Sequence, residues 1–474
     1  MNTNNDSGRD SRAQLAQWWA GARPLLRRTV PRCGVCAAIL LLLWMTAAAF
    51  SARHVTLKPK FDLPTIDLHE YVKRGRDIPE ADNAAAAYAK IEKRLTKGED
   101  RQKINSQRDL ARTNPEKLSP QDWQRLVAYC RETDDAAADV RRAARLPKCV
   151  LMFNESRGWY SCDWQGRIVG LIRLRAQVAA SVGDGPAWRQ GMDDLMALAE
   201  SLSSERTPMG VGLEDEALDG MLRALERACR AGIAGDDAWL TALDARLAAL
   251  RPMEAFEPLL ALACATMDFQ HAYGYGVTYP CYFTREMLEH RSYLPEYMDI
   301  PLRAGGFAAR DRMLVGQYVS ELLSAIRSSQ PQSWERAWAL MSAKCPDTES
   351  MGGALAPRYS DLCRRTISTG YGGTPGTLYA ITGRIRMTRA IIAVVRHGRD
   401  AQGQFRDADF LKNLLREFPN PMTGTPIVLH TVVNRFGLSY YVSYNPHGRW
   451  TTSRWRDRWE LKAWITAPPD GKGR

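Results

Sequence analysis

The sequence lacks the short motifs that usually specify a chemical reaction. It contains neither G-x-S-x-G nor H-E-x-x-H, and its seven histidines are scattered, so no pair of nucleophile and base can be assigned. It also lacks the composition of a disordered or polytopic membrane protein, because 45% of its 474 residues are hydrophobic and 25% are charged. These values are typical of a globular chain that buries a sizeable core.

An excess of positive charge is missing from the main body. The net charge is +12, but residues 1–32 carry +4 and residues 446–474 carry another +4. The 413 residues between these ends therefore carry +4, which is close to neutral for that length. Because a nucleic-acid-binding face needs clustered Lys and Arg, we do not expect nucleic acid as a partner.

Long apolar runs are absent apart from residues 33–50, which contain no charge and no proline. As a helix they would extend about 27 Å, close to the thickness of the hydrocarbon core of a bilayer. Four arginines in residues 23–32 place the N-terminus in the cytoplasm. We therefore expect a single-pass protein of the cytoplasmic (inner) membrane, bound to the lipid bilayer through residues 33–50, with its body in the periplasm. A signal peptide cleaved near residues 47–49 and a buried core helix are the alternatives.

Disulfides are permitted in a periplasmic body, and the sequence has ten cysteines. Two of them lie in the apolar run as C-x-x-C, a setting that does not suit a redox-active pair. The candidate disulfide pairs are Cys149 with Cys162 and Cys345 with Cys363. Because the remaining eight cysteines allow many pairings, the connectivity stays open.

Apolar residues recur at spacings of three, four and seven over most of the chain, which predicts amphipathic helices. One predicted face contains Ile168, Leu171, Ile172, Val178, Ala179 and Val182, and the next contains Trp188, Met192, Leu195, Met196, Ala199 and Leu202. Helix starts are indicated at Asn83 and Ser119, and a turn at residues 183–186. The predicted fold class is mainly α, an irregular array of α-hairpins with a tetratricopeptide-like layout but without that consensus. The predicted segments are a basic cytoplasmic leader (1–32), a transmembrane anchor (33–50), a linker (51–80), the α-helical hairpin domain (81–418) and a C-terminal β element (419–474).

The C-terminal segment changes from helical to strand periodicity. Residues 427–433 and 438–445 are rich in β-forming residues, and residues 454–465 alternate between inward and outward positions. This pattern predicts a small three-stranded antiparallel sheet, with Trp455 and Trp459 facing the core.

Three segments are candidate functional sites, but a structural role explains each of them better. Two cysteines and two histidines between residues 264 and 290 are too widely spaced for a typical zinc site. Residues 369–376 are glycine-rich but lack the Lys-Ser/Thr of a P-loop. The acids at 214–216 are interpreted as lying at a helix start, where they suit the helix dipole. We therefore assign no catalytic residue, metal ion or cofactor from the sequence.

The order of several motifs resembles a known group of proteins. These motifs are the helix start Asn83–Tyr88, the segment from Cys149 to Trp164, the turn N-P-M-T-G-T-P-I at residues 420–427 and the strand end Tyr440–Gly448. With the basic leader and the anchor, the chain resembles uncharacterised, membrane-anchored helical proteins of planctomycete-type bacteria. Its C-terminal tail is similar to that of type II secretion pseudopilins, although Asn420 stands where that tail has Asp.

These observations favour a membrane-anchored extracytoplasmic scaffold or binding protein, since stacked helical hairpins commonly present a binding surface. The sequence does not specify the protein partner that such a role implies. The resemblance of the tail implies an alternative, a component of an envelope secretion or pilus-like assembly. A third hypothesis is an enzyme whose site has no linear motif.

Overall fold

The structure is a computed structural model, and the statements below refer to the residues that it describes. These are residues 34–43, 66–96, 118–151, 153–154, 159–160, 165–233, 235–262, 265, 320, 323–324, 327–328, 374–398, 406–421, 424–434, 437–443 and 462–465. Residues 34–43 fall in one structural unit, and every other described residue falls in a second unit that comprises Phe61–Gly276 and Gln317–Arg474. The described part is mainly helical, which confirms the predicted α class.

The predicted membrane segment is described in part. Residues 34–43 are helical and their apolar side chains, such as Leu40 and Leu42, are exposed. Residue 33 and residues 44–50 lie outside the described residues. Within the part of the chain that the structure describes, no helix combines the length and the apolar character that crossing a membrane requires.

A helix occupies part of the segment that the sequence predicts to be a linker. This helix, α1, extends over Leu68–Arg76. Asp67 accepts a hydrogen bond from the backbone N–H of Glu70 at 3.3 Å, and Val72 is buried. A capping side chain and one buried apolar residue stabilise this short helix, whose periodicity is weak in the sequence. The assignment of residues 51–80 as a linker stays a prediction.

The remaining elements follow in chain order. The helices are α2 (Ala84–Leu95), α3 (Pro120–Glu132), α4 (Asp134–Ala143), α5 (Gln165–Val182), α6 (Gly185–Ser203), α7 (Pro208–Arg230), α8 (Asp237–Ala249), α9 (Thr374–His397) and α10 (Ala408–Leu415). Short 3₁₀ turns lie at Glu80–Asp82 and Pro252–Ala255, and residues 256–262 are helical. The strands are β1 (Phe153–Asn154), β2 (Trp159–Tyr160), β3 (Val428–Asn434), β4 (Gly437–Ser443) and β5 (Lys462–Trp464).

Capping side chains fix several helix starts, and the sequence predicts those at Asn83 and Ser119. Asn83, Ser119 and Asp184 each accept a hydrogen bond from a first-turn N–H of α2, α3 and α6, at 3.0–3.1 Å. Asn83 also bonds both backbone groups of Val150, at 3.0 and 3.2 Å, so it ties the start of α2 to the segment after α4. Of the predicted turn at residues 183–186, residues 183 and 184 lie between α5 and α6, and the φ of 81° at Gly183 lies in the left-handed region that favours glycine.

The core lies where α5, α6, α7 and α9 pack together. Only two residues connect α5 to α6 and four connect α6 to α7, so consecutive helices pack as hairpins. The predicted apolar face of α6 is confirmed, since these residues are at most 1% exposed: Trp188, Met192, Leu195, Met196, Ala199 and Leu202. Val182, predicted to share the buried face of α5, is instead 56% exposed, because α5 ends there.

The approach of α5 to α6 is closest at Gly191. A Cβ atom added at this position would lie 2.8 Å from both the Cα and the Cβ of Ala176. Glycine is therefore required for the two backbones to pack at this distance.

The strands near the C-terminus pair antiparallel. β3 and β4 pair from Val428–Ser443 to Asn434–Gly437, and β4 pairs with β5 through Tyr441–Trp464. β3 contacts α10, and β5 contacts α7. Of the predicted strand 454–465, the structure describes residues 462–464 as strand, and Trp455 and Trp459 lie outside the described residues.

Candidate functional site

A cleft of about 800 Å³ lies between α1, the loop after α6 and the helical segment 256–262. We call it the α1 cleft. It is lined by Ile66, Asp67, Glu70, Tyr71, Lys73, Arg74, Asp77, Ser203, Ser204, Glu205, Arg206, Ala255, Pro258, Leu259 and Leu262. Residues 255–262 therefore contribute an apolar wall, while α1 and the loop after α6 contribute a phenol and charged groups.

Tyr71 is the aromatic residue of the α1 cleft. The guanidinium of Arg74 lies over its ring, 5.6 Å from the centroid. Burial, with a smaller contribution from Glu205, raises the pKa of Tyr71 to about 12 against the opposing effect of Arg74. The phenol therefore stays protonated at neutral pH and can both donate and accept a hydrogen bond.

Ion pairs hold the charged rim of the cleft in place. Glu205 lies 3.6 Å from Arg74 and 3.3 Å from Lys148, while Glu70 lies 4.0 Å from Lys73 within α1. Both cations of α1 that line the cleft thus have a carboxylate partner. Since these pairs are partly exposed, they position the side chains more than they stabilise the fold.

Arg206 connects the cleft to the core. Its guanidinium bonds both carboxylate oxygens of Glu214 at 2.9 Å and the carbonyl oxygen of Leu250 at 2.6 Å. The Arg206 side chain is 10% exposed and that of Glu214 is completely buried. Burial raises the pKa of Glu214, and the hydrogen bonds from Arg206 counteract part of this rise. Arg206 therefore joins Glu214 of α7 to the end of α8 beside the cleft.

Ser203, Ser204 and Asp77 provide acceptors in the cleft with unused hydrogen-bonding capacity. The hydroxyls of Ser203 and Ser204 donate to the carbonyl oxygens of Glu200 and Ser201, at 2.8 and 2.7 Å, so their oxygens can still accept. Among the described residues, none forms an ion pair with Asp77. An acid just beyond the C-terminus of a helix opposes the helix dipole, so helix stability does not explain Asp77.

A second polar network joins α7 to α9. Arg384, a buried residue of α9, donates to Asp215 at 2.7 Å and to Asp219 at 3.2 Å. Burial would raise the pKa of Asp219, but Arg384 and Arg223 together lower it below its usual value. Because its charges are matched and packed between helices, we assign this network to the docking of α9 on α7.

This network corrects the interpretation of the acids at 214–216. They do not lie at a helix start, because α7 begins at Pro208 and Glu214 is fully buried against Arg206. Adjacent positions on a helix point in different directions, so Glu214 and Asp215 reach different arginines. Sequence spacing does not reveal that Asp215 pairs with Arg384, since Arg384 lies far along the chain.

Cys149 is a buried thiol near Tyr88 and Ser201. The Tyr88 hydroxyl donates to Ser201 Oγ at 3.4 Å, and burial raises the pKa of Cys149 to about 11. The thiol is therefore protonated at neutral pH and unsuited to nucleophilic chemistry. Cys162, Cys345 and Cys363 lie outside the described residues, so both candidate disulfides stay predictions.

His430 and Ser443 form a contact that could resemble a base and a nucleophile. His430 Nε2 lies 2.7 Å from Ser443 Oγ, within the reach that such pairs use. Ser443 is however only 7% exposed, and the two residues lie on paired strands, β3 and β4. We therefore assign this hydrogen bond to cross-strand stabilisation.

The other sequence candidates fall largely outside the described residues. The cysteines and histidines between 264 and 290 do so entirely, and of the glycine-rich segment, residues 374–376 form the first turn of α9. In the described ranges, no cluster of His, Cys, Asp or Glu has the arrangement of a metal site.

The α1 cleft is not predicted by the sequence. The sequence contains one local signal of α1: Tyr71 and Val72 follow Leu68 at spacings of three and four, after Asp67, which can cap a helix. The other walls come from positions far along the chain, which no local pattern brings together. Comparison of the chain with models of known protein families, with curated proteins and with solved structures gives no match.

Proposed function

We propose that this chain is a binding protein that holds a small ligand in the α1 cleft, anchored in the cytoplasmic membrane through residues 33–50 with its body in the periplasm. The observation that carries the binding role is the cleft itself. Its volume of about 800 Å³ lies within the roughly 300–1,000 Å³ that is usual for small-molecule sites.

The composition of the cleft supports the same role. Binding sites typically combine an apolar surface, which supplies affinity, with a few polar groups that orient the ligand. Leu259 and Leu262 contribute to the apolar wall, and Tyr71 and Glu205 contribute polar groups. Arg74 lies beside Glu205 and over the ring of Tyr71, so these groups are positioned before a ligand arrives, which lowers the entropic cost of binding.

A fragment screen with a blocked cleft tests the binding role. The full chain in detergent is screened by ligand-observed NMR against equal numbers of cationic, anionic and neutral fragments. Glu70→Trp places a large side chain at the cleft, and Asp409→Trp on α10 is the matched control. Both acids are exposed and pair with a lysine three residues away.

We expect fragments that bind the wild type and Asp409→Trp but not Glu70→Trp. If no fragment binds, or if every hit survives Glu70→Trp, the proposed binding role is wrong.

Extraction of membranes tests the proposed anchor. The uncharged run at 33–50 and the arginines before it support an integral helix. The full chain should stay in the membrane pellet after alkaline carbonate washing, and a variant without residues 33–50 should be released. Release of the full chain would contradict the anchor. Specific co-purification of secretion-system proteins with the full chain would instead support the alternative of an envelope assembly.

A further inference from the structure

We infer that the ligand of the α1 cleft is an organic cation, an ammonium or guanidinium compound with an apolar body. This inference rests on the proposed binding function and specifies its ligand class. Its first basis is that the positive groups of the lining are already matched. Arg206 is bonded to Glu214, Arg74 lies beside Glu205, and Lys73 lies beside Glu70.

The groups that remain in the cleft attract a cation. The carboxylate of Asp77 has no ion-pair partner among the residues that the structure describes. The oxygens of Ser203 and Ser204 can accept further hydrogen bonds, because their protons are committed to backbone carbonyls. An anion would find each lining cation beside a carboxylate and Asp77 repelling it, whereas an ammonium group can donate to Asp77 and to the two serine oxygens.

The apolar wall sets the second property of the ligand. Leu259, Leu262 and Pro258 line the cleft together with Ile66 and Ala255. A bare metal ion or a fully polar amine would leave this surface unused, so the ligand needs a hydrocarbon or aromatic body. The area of such a body removed from water provides affinity, and the charge provides orientation and selectivity.

A matched series of probes isolates the charge. The probes are 4-phenylbutylamine, 4-phenylbutanol and 5-phenylpentanoate, titrated by calorimetry into the full-length chain in detergent. They share one apolar body and differ in carrying a positive charge, no charge and a negative charge. We expect the amine to bind about tenfold more tightly than the alcohol, the size of effect that one partly solvated charge pair gives. The carboxylate should bind more weakly than the alcohol, and added salt should reduce this difference.

Two variants place the effect in the cleft. Asp77→Asn should weaken binding of the amine several-fold and leave the alcohol unchanged, whereas Asp409→Asn on α10 should change neither. Carboxylate binding equal to or tighter than amine binding would overturn the cation class while leaving the binding function intact. Equal loss of amine and alcohol in Asp77→Asn would also overturn it, because a charge effect cannot act on a neutral probe. Absence of binding by all three probes overturns the inference as well, and the fragment screen then decides whether the binding function also fails.

Discussion

Breaking the buried Arg206–Glu214 pair should cost far more stability than breaking an exposed pair. Glu214→Gln leaves the Arg206 guanidinium, whose side chain is 10% exposed, without a carboxylate. Removing one partner of a buried ion pair costs about 3–5 kcal/mol, because the remaining charge stays desolvated. Arg251 and Glu254 form the matched control, a pair at 3.2 Å in which both side chains are 69% exposed. For Glu254→Gln we expect a loss of about 0.5 kcal/mol or less.

Urea unfolding followed by circular dichroism measures both losses. With an m value of about 3 kcal/mol per molar urea, Glu214→Gln should lower the midpoint by about 1 M or more. The double variant Arg206→Met with Glu214→Leu should recover most of the loss, since apolar replacements of a buried pair are often tolerated. A deficit of about 1 kcal/mol should remain, because Leu250 loses its hydrogen bond from Arg206.

The pH dependence provides an independent check of the same pair. In Arg206→Met, the pKa of Glu214 should rise further above its unfolded value, because burial acts without the opposing hydrogen bonds. The folded state then binds more protons than the unfolded state, so its free energy of unfolding should increase as the pH falls from 7 towards 5. The double variant should lack this increase. Equal losses for Glu214→Gln and Glu254→Gln would refute the reasoning.

Three further predictions concern the core. In thermal unfolding, Gly191→Ala should lower stability by about 1–3 kcal/mol, because the added methyl group clashes with Ala176. Gly212→Ala should be neutral or stabilising, because a Cβ atom at Gly212 would have no neighbouring atom within 4 Å. Under reducing conditions, the free energy of unfolding measured with urea should fall between pH 9 and 11, by up to about 2.7 kcal/mol. The reason is that the Cys149 thiol ionises at lower pH in the unfolded state than in the folded state. Cys149→Ala should therefore make the free energy of unfolding less dependent on pH in this range. Asn83→Ala should lower the free energy of unfolding in urea by about 2–4 kcal/mol, since it removes three buried hydrogen bonds. A loss below 1 kcal/mol would contradict the role of Asn83 in joining α2 to Val150.

Local signals in the sequence were sufficient to place the central helices. The caps at Asn83 and Ser119 are short-range interactions between a side chain and the next turn, so the sequence alone specifies them. The apolar face of α6 was equally predictable, because its spacing of three and four persists over four turns. In contrast, Val182 continued the pattern of α5 but lies at its end, where no neighbour covers it.

The candidate site was not predictable because it depends on distant contacts. α1 has nine residues, too few to be stable without tertiary packing, and the burial of Val72 is visible only in the fold. The acids at 214 and 215 look like ordinary helix residues until their arginine partners are placed beside them. Buried charges of this kind require a partner that no local pattern identifies.

Hydrogen exchange of the full-length chain with and without 4-phenylbutylamine tests the central claim, that the α1 cleft binds a ligand, most directly. Mass spectrometry of peptides from the exchanged protein should show slower amide exchange in α1 and at residues 203–206 when the amine is present, and no change in α10. Unchanged exchange in α1 at saturating amine, or protection confined to other helices, would contradict the account.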